Sequence, residues 1–191
     1  LIYTDEIYEH IIYDGARHVP MITIPGMRER TILINSMSKT YAVTGWRVGW
    51  VLANPDITES VRKVHDFLTV GAAAPLQEAG VVALGLPESY YSELAQHYTE
   101  RRDLMLQMLE RTGFQCTIPL GAYYVMADFS ALSKDDDVTF ARHLIETVGV
   151  AAVPGSSFFN NNADGARWIR FCFPKKYDTL KEAEARLKKL A

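Results

Sequence analysis

Thr31-Ile32-Leu33-Ile34-Asn35-Ser36-Met37-Ser38-Lys39-Thr40-Tyr41-Ala42-Val43-Thr44-Gly45-Trp46-Arg47-Val48-Gly49-Trp50 joins two apolar runs through a polar, turn-forming middle. The β-branched and apolar opening, Thr31 to Ile34, predicts a buried strand, and Arg47 to Ala53 predicts a second. Between them lie hydroxyls, one lysine and a glycine turn, with an arginine eight residues past the lysine. A lysine just off the end of a buried strand sits where open α/β sheets bind ligands. An amine held partly out of water there is freed to attack a carbonyl. Hydroxyls on one side and a guanidinium on the other suit a phosphate.

An amine beside a phosphate site points to pyridoxal 5′-phosphate (PLP), an aldehyde that carries a phosphate. The segment Ser36-Met-Ser-Lys39-Thr-Tyr-Ala-Val-Thr-Gly-Trp-Arg47-Val-Gly resembles the cofactor-lysine signature of the class I/II PLP-dependent aminotransferases, which have fold type I. Within that family it is most similar to the branch with the aspartate, aromatic, methionine and kynurenine aminotransferases. The resemblance implies Lys39 as the Schiff-base residue and Ser36 and Arg47 as phosphate contacts.

Upstream, Leu1-Ile2-Tyr3-Thr4 reads as a strand, followed by Asp5-Glu6-Ile7-Tyr8. An acid at the carboxyl end of a parallel-type strand points into the ligand crevice. It needs a cation there, and the protonated ring nitrogen of PLP is one. The resemblance implies that Asp5 holds that nitrogen and that Tyr8 bonds the phenolate oxygen. Read on their own, the same residues are more simply an acid capping a turn and a tyrosine packing its ring; the lysine motif beside them reverses that preference. Ser36-Met-Ser-Lys39 also matches the Ser-x-x-Lys of serine hydrolases, where the serine opens a helix. The companion motifs Ser-Asp-Asn and Lys-Thr-Gly are absent from the sequence.

The 191 residues are 48% hydrophobic and 23% charged, enough to build one large or two small globular domains. A net charge of −3, with no basic run, argues against nucleic acid as a partner. No apolar stretch reaches membrane-spanning length. His10, His18, His65, His97 and His143 are scattered, so no metal site is expected. Cys116 and Cys172 lack metal or redox spacing, which makes a reducing cytoplasm the default. The chain starts at Leu1, already within a predicted strand, and so looks like the C-terminal portion of a longer protein.

Asn54-Pro55 predicts a helix start, with Ile57, Val61, Val64, Phe67 and Leu68 as its apolar stripe. A second helix is expected from Pro75 to about Leu84, and the long periodic stretch Glu88 to Arg111 predicts a third, ended by Gly113. Glu100, Arg101, Arg102 and Asp103 read as its solvated face. Short strands follow at Phe114–Thr117, Ala122–Phe129, Ala151–Val153 and Arg167–Phe173. A helix is expected from Val138 to about Val148 and another after Asp178, expected as its cap. An arginine in the apolar strand Trp168-Ile169-Arg170-Phe171-Cys172-Phe173 needs an anionic partner, and its planar fork suits a carboxylate. The resemblance implies that Arg170 binds the substrate α-carboxylate. Gly121–Tyr124 and Pro154–Phe158 match loops at the family's substrate entrance.

The fold class expected is therefore α/β. Residues 1–87 would be the C-terminal part of the large PLP-binding domain, and 88–191 a connecting helix with a small α+β C-terminal domain. The function implied is transamination between an amino acid and a 2-oxoacid by a full-length homodimer. Elements of the family's site lie outside these residues, so the isolated piece is expected to be inactive. Two alternatives keep the lysine and change the chemistry: a PLP-dependent lyase, or a regulator using an aminotransferase-like domain as a ligand sensor.

Overall fold

A computed structural model describes residues 1–190, which divide after Ala95 into two compact units. The first is built on a three-stranded sheet of β1 (Ile2–Asp5), β2 (Thr31–Ser36) and β3 (Gly49–Leu52), in that order. β1 runs parallel to β2, with Asp5 opposite Ile34, while β3 returns antiparallel, with Gly49 opposite Ser36. The long crossover that a parallel pair requires is the irregular segment between β1 and β2. Glu6 anchors it: buried, it accepts hydrogen bonds from His18 Nε2 (2.9 Å) and the Met21 amide (3.0 Å). Burial opposes ionisation of Glu6, but the hydrogen bonds outweigh it and hold the carboxyl below its ordinary value.

Helix α1 (Pro55–Leu68) starts as the sequence predicts, with the Asn54 side chain accepting from the Ile57 amide at 3.0 Å. Its apolar stripe, however, is not buried: Phe67 is 95% and Leu68 77% exposed. Helix α2 (Ala74–Leu84) follows, then α3 (Glu88–Arg111), which runs through the division between the units.

The second unit holds an antiparallel sheet of order β4-β5-β7-β6, made of β4 (Gln115–Cys116), β5 (Tyr124–Asp128), β6 (Val153–Pro154) and β7 (Trp168–Cys172). Strand alternation sorts its side chains. Val125, Ala127, Ile169 and Phe171 are buried, while Tyr124, Met126, Arg170 and Cys172 are half-buried. Helices α4 (Asp137–His143), α5 (Asn162–Gly165) and α6 (Tyr177–Leu187) complete the unit. Met105, Met108 and Leu109 of α3, Phe140 of α4 and Leu180 and Leu187 of α6 share its buried core. Phe140 stacks on Phe129 at 4.2 Å between ring centroids and meets Phe114 at 6.2 Å.

Three local expectations change. Arg102 is not on a solvated face: it is buried, because its guanidinium pairs with Asp103 (2.8 Å) and donates to the Pro119 carbonyl (3.3 Å). After α4 the chain widens into a π-helical turn, Leu144–Val148, closed by Gly149 at φ +80°. The cap of α6 is Lys176, and Asp178 lies inside the first turn, where its charge still favours the helix dipole.

Phe140→Ala is expected to destabilise the protein by about 3–5 kcal/mol, read from urea unfolding midpoints. The Glu6 contact makes a second expectation. Because its folded value is depressed, its contribution is complete above the unfolded carboxylate value of about 4.3 and fades as pH falls through the lower folded value. Glu6→Gln should therefore flatten the acid limb of stability against pH; an unchanged limb would rule the contact out as its source.

Candidate active site

Asp5 is the last residue of β1, with its carboxylate exposed and accepting from the Ile7 amide at 3.2 Å. Tyr8 is half-buried in the next turn, where its carbonyl accepts from the Ile11 amide. Parallel pairing puts Asp5 beside Ile34, two residues before Ser36, so the turns after β1 and β2 leave the sheet from the same edge. Ser36 ends β2, and its Oγ accepts from the Ser38 amide at 3.2 Å. Turns follow it rather than a helix, contrary to what the serine-hydrolase pattern requires.

Lys39 sits half-buried in these turns, and neighbours fix them from both sides. Met37 is buried and donates its amide to the Val48 carbonyl at 3.1 Å; a Cβ on Gly80 would meet its Sδ at 3.0 Å. The Tyr90 hydroxyl donates to the Thr40 carbonyl at 2.7 Å, and the Tyr41 and Tyr91 hydroxyls lie 2.9 Å apart. Burial, then the bond to Tyr91, push the Tyr41 hydroxyl far above its ordinary value, so it stays protonated. Arg47 takes the left-handed conformation, φ +55°, uncommon for a residue with a side chain. Its Nη1 donates to the Thr44 carbonyl at 3.0 Å, and the rest of the side chain is exposed.

Ser36 and Arg47 share a pocket of about 480 Å³ with Ser38, Gly49, Arg62 and His65. Asp5, Tyr8 and Lys39 do not line it; they are tied to it through strand register and turn. Two serine hydroxyls and two guanidinium groups suit a dianionic phosphate. A carboxylate suits a protonated ring nitrogen, and a half-buried amine suits an aldehyde. The donor set therefore fits PLP. Sequence reading missed Arg62 and His65, although their spacing of three on a helix puts them on one face.

In the second unit Arg170 projects from β7 opposite Met126 and Val153. Its guanidinium carbon lies 4.0 Å from the Tyr124 ring centroid and 4.0 Å from that of Phe158. Both rings lie against the guanidinium, and its remaining N–H donors are of the kind that suit an anion. No carboxylate among the described residues forms an ion pair with it. Tyr124, the first residue of β5, and Phe158, at the end of the Gly155–Phe158 turn, thus supply the rings against this arginine. Phe158 is carried by a turn whose Gly155 touches the Gly165 carbonyl, 2.5 Å from where a Cβ would stand.

Residues 1–187 match the profile of the family described as aminotransferase class I and II. The chain belongs to that family. The structure of N-succinyldiaminopimelate aminotransferase from Mycobacterium tuberculosis superposes with a TM-score of 0.96 at 38% identity, covering 100% of this chain and 50% of that one. The methionine aminotransferase of Escherichia coli is 36% identical over 99% of this chain and 49% of its own length. Kynurenine–oxoglutarate transaminase 1 of Mus musculus is 34% identical, with 98% and 49% covered. The chain thus spans about half the length of the aminotransferases it matches.

Gly49 backs the serine of the pocket. A Cβ there would stand 2.6 Å from the Asn35 carbonyl oxygen and 2.8 Å from Ser36 Cβ, a clash with backbone that a rotamer change cannot relieve. Gly49→Ala is expected to cost about 1–3 kcal/mol in thermal or urea unfolding; wild-type stability in this variant would contradict the β2–β3 register.

Proposed function

We propose that this chain is the lysine-bearing part of a PLP-dependent aminotransferase that moves the α-amino group of an amino acid to a 2-oxoacid. The observation that carries the reading is the edge of the first sheet. There Asp5, Ser36 and Lys39 leave adjacent parallel strands beside a pocket that Ser36 and Arg47 share. Family membership over residues 1–187 supports it.

PLP, when bound, supplies an aldehyde for the amino group and a ring that accepts electrons released at the α-carbon. Ser36 and Arg47 would hold its phosphate and Asp5 its ring nitrogen, with Tyr8 on the phenolate oxygen. Lys39 would hold the group through Nζ and then, released by the incoming amine, act as the base that moves the α-proton. Arg170, packed against Tyr124 and Phe158, would orient each substrate by its carboxylate. In this reading residues 1–87 are part of the large cofactor domain and residues 88–191 the connecting helix and small domain.

The whole protein is proposed to be a cytoplasmic homodimer about twice this length. Exposed Val64, Phe67, Leu68, Val70, Val81 and Val82 support the need for further polypeptide, of the same subunit or a partner, over the first unit. Two free thiols, Cys116 and Cys172, suit a reducing compartment. The aromatic clamp on Arg170 and half-buried Trp168 favour aromatic, methionine or kynurenine-like substrates.

The test is borohydride reduction after PLP addition, with mass mapping, on the full-length protein and on this chain. Label on Lys39 of the full-length protein, lost in Lys39→Arg, is expected; the isolated chain should label poorly and turn nothing over. Full-length protein without label on Lys39 would end the reading. Label without amino transfer from pyridoxamine phosphate to any 2-oxoacid would favour the lyase or ligand-sensor alternative.

A further inference from the structure

We propose that Glu9, in the turn after β1, and Asn35, the next-to-last residue of β2, form a latch at the sheet edge, and that both are positioning residues for the cofactor site; the inference rests on the PLP reading above. The backbone pairing of β1 with β2 continues one residue past Asp5, to the Glu6 amide on the Ile34 carbonyl at 2.9 Å. Past that bond the first chain turns away, while β2 runs on through Asn35 and Ser36, paired with Trp50 and Gly49 of β3. There the Asn35 side chain donates from Nδ2 to Glu9 Oε1 at 2.6 Å. Its other end, Oδ1, accepts from the Ser36 amide at 2.7 Å. Asn35 is buried, with 5% of its surface exposed, so this amide works at both ends and out of water.

Each end of the latch is rigidly tied to proposed site residues. On one side the turn holding Asp5 and Tyr8 is closed by Ile7 on the Asp5 carboxylate, Glu9 on the Glu6 carbonyl (3.1 Å) and Ile11 on the Tyr8 carbonyl (2.9 Å). On the other, Ser36 follows Asn35 directly, and the Ser38 amide on Ser36 Oγ and the Tyr41 amide on the Met37 carbonyl carry the constraint past Lys39. One turn would face the ring of the bound group and the other its phosphate and aldehyde. The latch sets their spacing.

Glu9 is itself held. His10 Nε2 lies 3.7 Å from Glu9 Oε1, and the His10 ring packs on Tyr91 at 4.3 Å between centroids. The bond to Asn35 is short and made to a carboxylate, the strong kind of hydrogen bond. A bond needed only for folding would be expected to act through stability alone. A bond that spaces two halves of a binding site also sets affinity and the titration of what is bound.

The test uses the full-length protein stripped of PLP, with Glu9→Ala, Asn35→Ala, the double variant and Glu9→Gln, whose amide oxygen can still accept from Asn35. Three readouts are taken: thermal midpoint without PLP, PLP dissociation constant from the visible band, and the pH midpoint of that band. Both alanine variants are expected to bind PLP about tenfold more weakly and to shift the pH midpoint. The double variant should be no worse than either single one, and Glu9→Gln should recover most of the affinity. If an alanine variant does not fold, Glu9→Asp, one methylene short of Asn35, is expected to show the same loss of affinity. Variants that lower only the thermal midpoint, with wild-type affinity and pH midpoint, would overturn the latch. Wild-type protein that develops no visible band on adding PLP would instead overturn the PLP reading beneath it.

Discussion

The parallel registration of β1 against β2, with Asp5 opposite Ile34, is the constraint on which the first unit's chemistry depends. Two parallel strands expose their carboxyl ends at one edge, so whatever follows each strand is delivered to the same place. Here that means an acid and a tyrosine from one turn and a serine and a lysine from the other. An antiparallel pairing would have placed the two groups at opposite edges. A slip of one residue would turn the Ser36 hydroxyl to the other face of the sheet. The buried Glu6, bonded to His18 and Met21, follows from the same constraint, because the crossover it pins is the price of joining parallel strands.

The antiparallel return of β3 adds what β1 and β2 lack. It reverses the chain over residues 37–48, through a connection that holds Arg47 in the left-handed region, and so brings that residue to the pocket shared with the serine at the end of β2. Strain of that kind persists only where surrounding contacts over-determine it. The Arg47 bond to the Thr44 carbonyl and the Gly49 approach to Asn35 and Ser36 are such contacts.

Much of this was legible in the sequence, and the reason is locality. The strands at Thr31 and Trp168, the Asn54-Pro55 start of α1 and the whole of α3 depend on residues a few positions apart, and each formed where period and capping chemistry predicted. Partners chosen across the fold were not legible. Nothing near Arg102 announces the Pro119 carbonyl, nor near Asn35 the Glu9 carboxylate 26 residues upstream. The stripe on α1 shows the limit from the other side: periodicity correctly made the helix, but burial needs a partner surface, which local sequence does not contain. Arg170 is intermediate. That an arginine in an apolar strand needs company was readable, whereas the aromatic nature of that company required the β5–β7 register and the Gly155–Gly165 contact.

The two cationic positions are prepared in different ways, and the difference has a physical rationale. Arg47 lines a pocket with two serines, a second arginine and a histidine, among apolar Ile34, Val48, Trp50, Val51 and Val61. Arg170 has no described ion-pair partner and packs against two aromatic rings, each 4.0 Å away. A guanidinium so packed loses little further freedom when an anion binds, and it offers one geometry, two parallel N–H groups in a plane. Such a group discriminates by the shape of the anion as well as by its charge. A planar fork of that kind matches a carboxylate, and a pocket with several donors matches the larger charge of a phosphate.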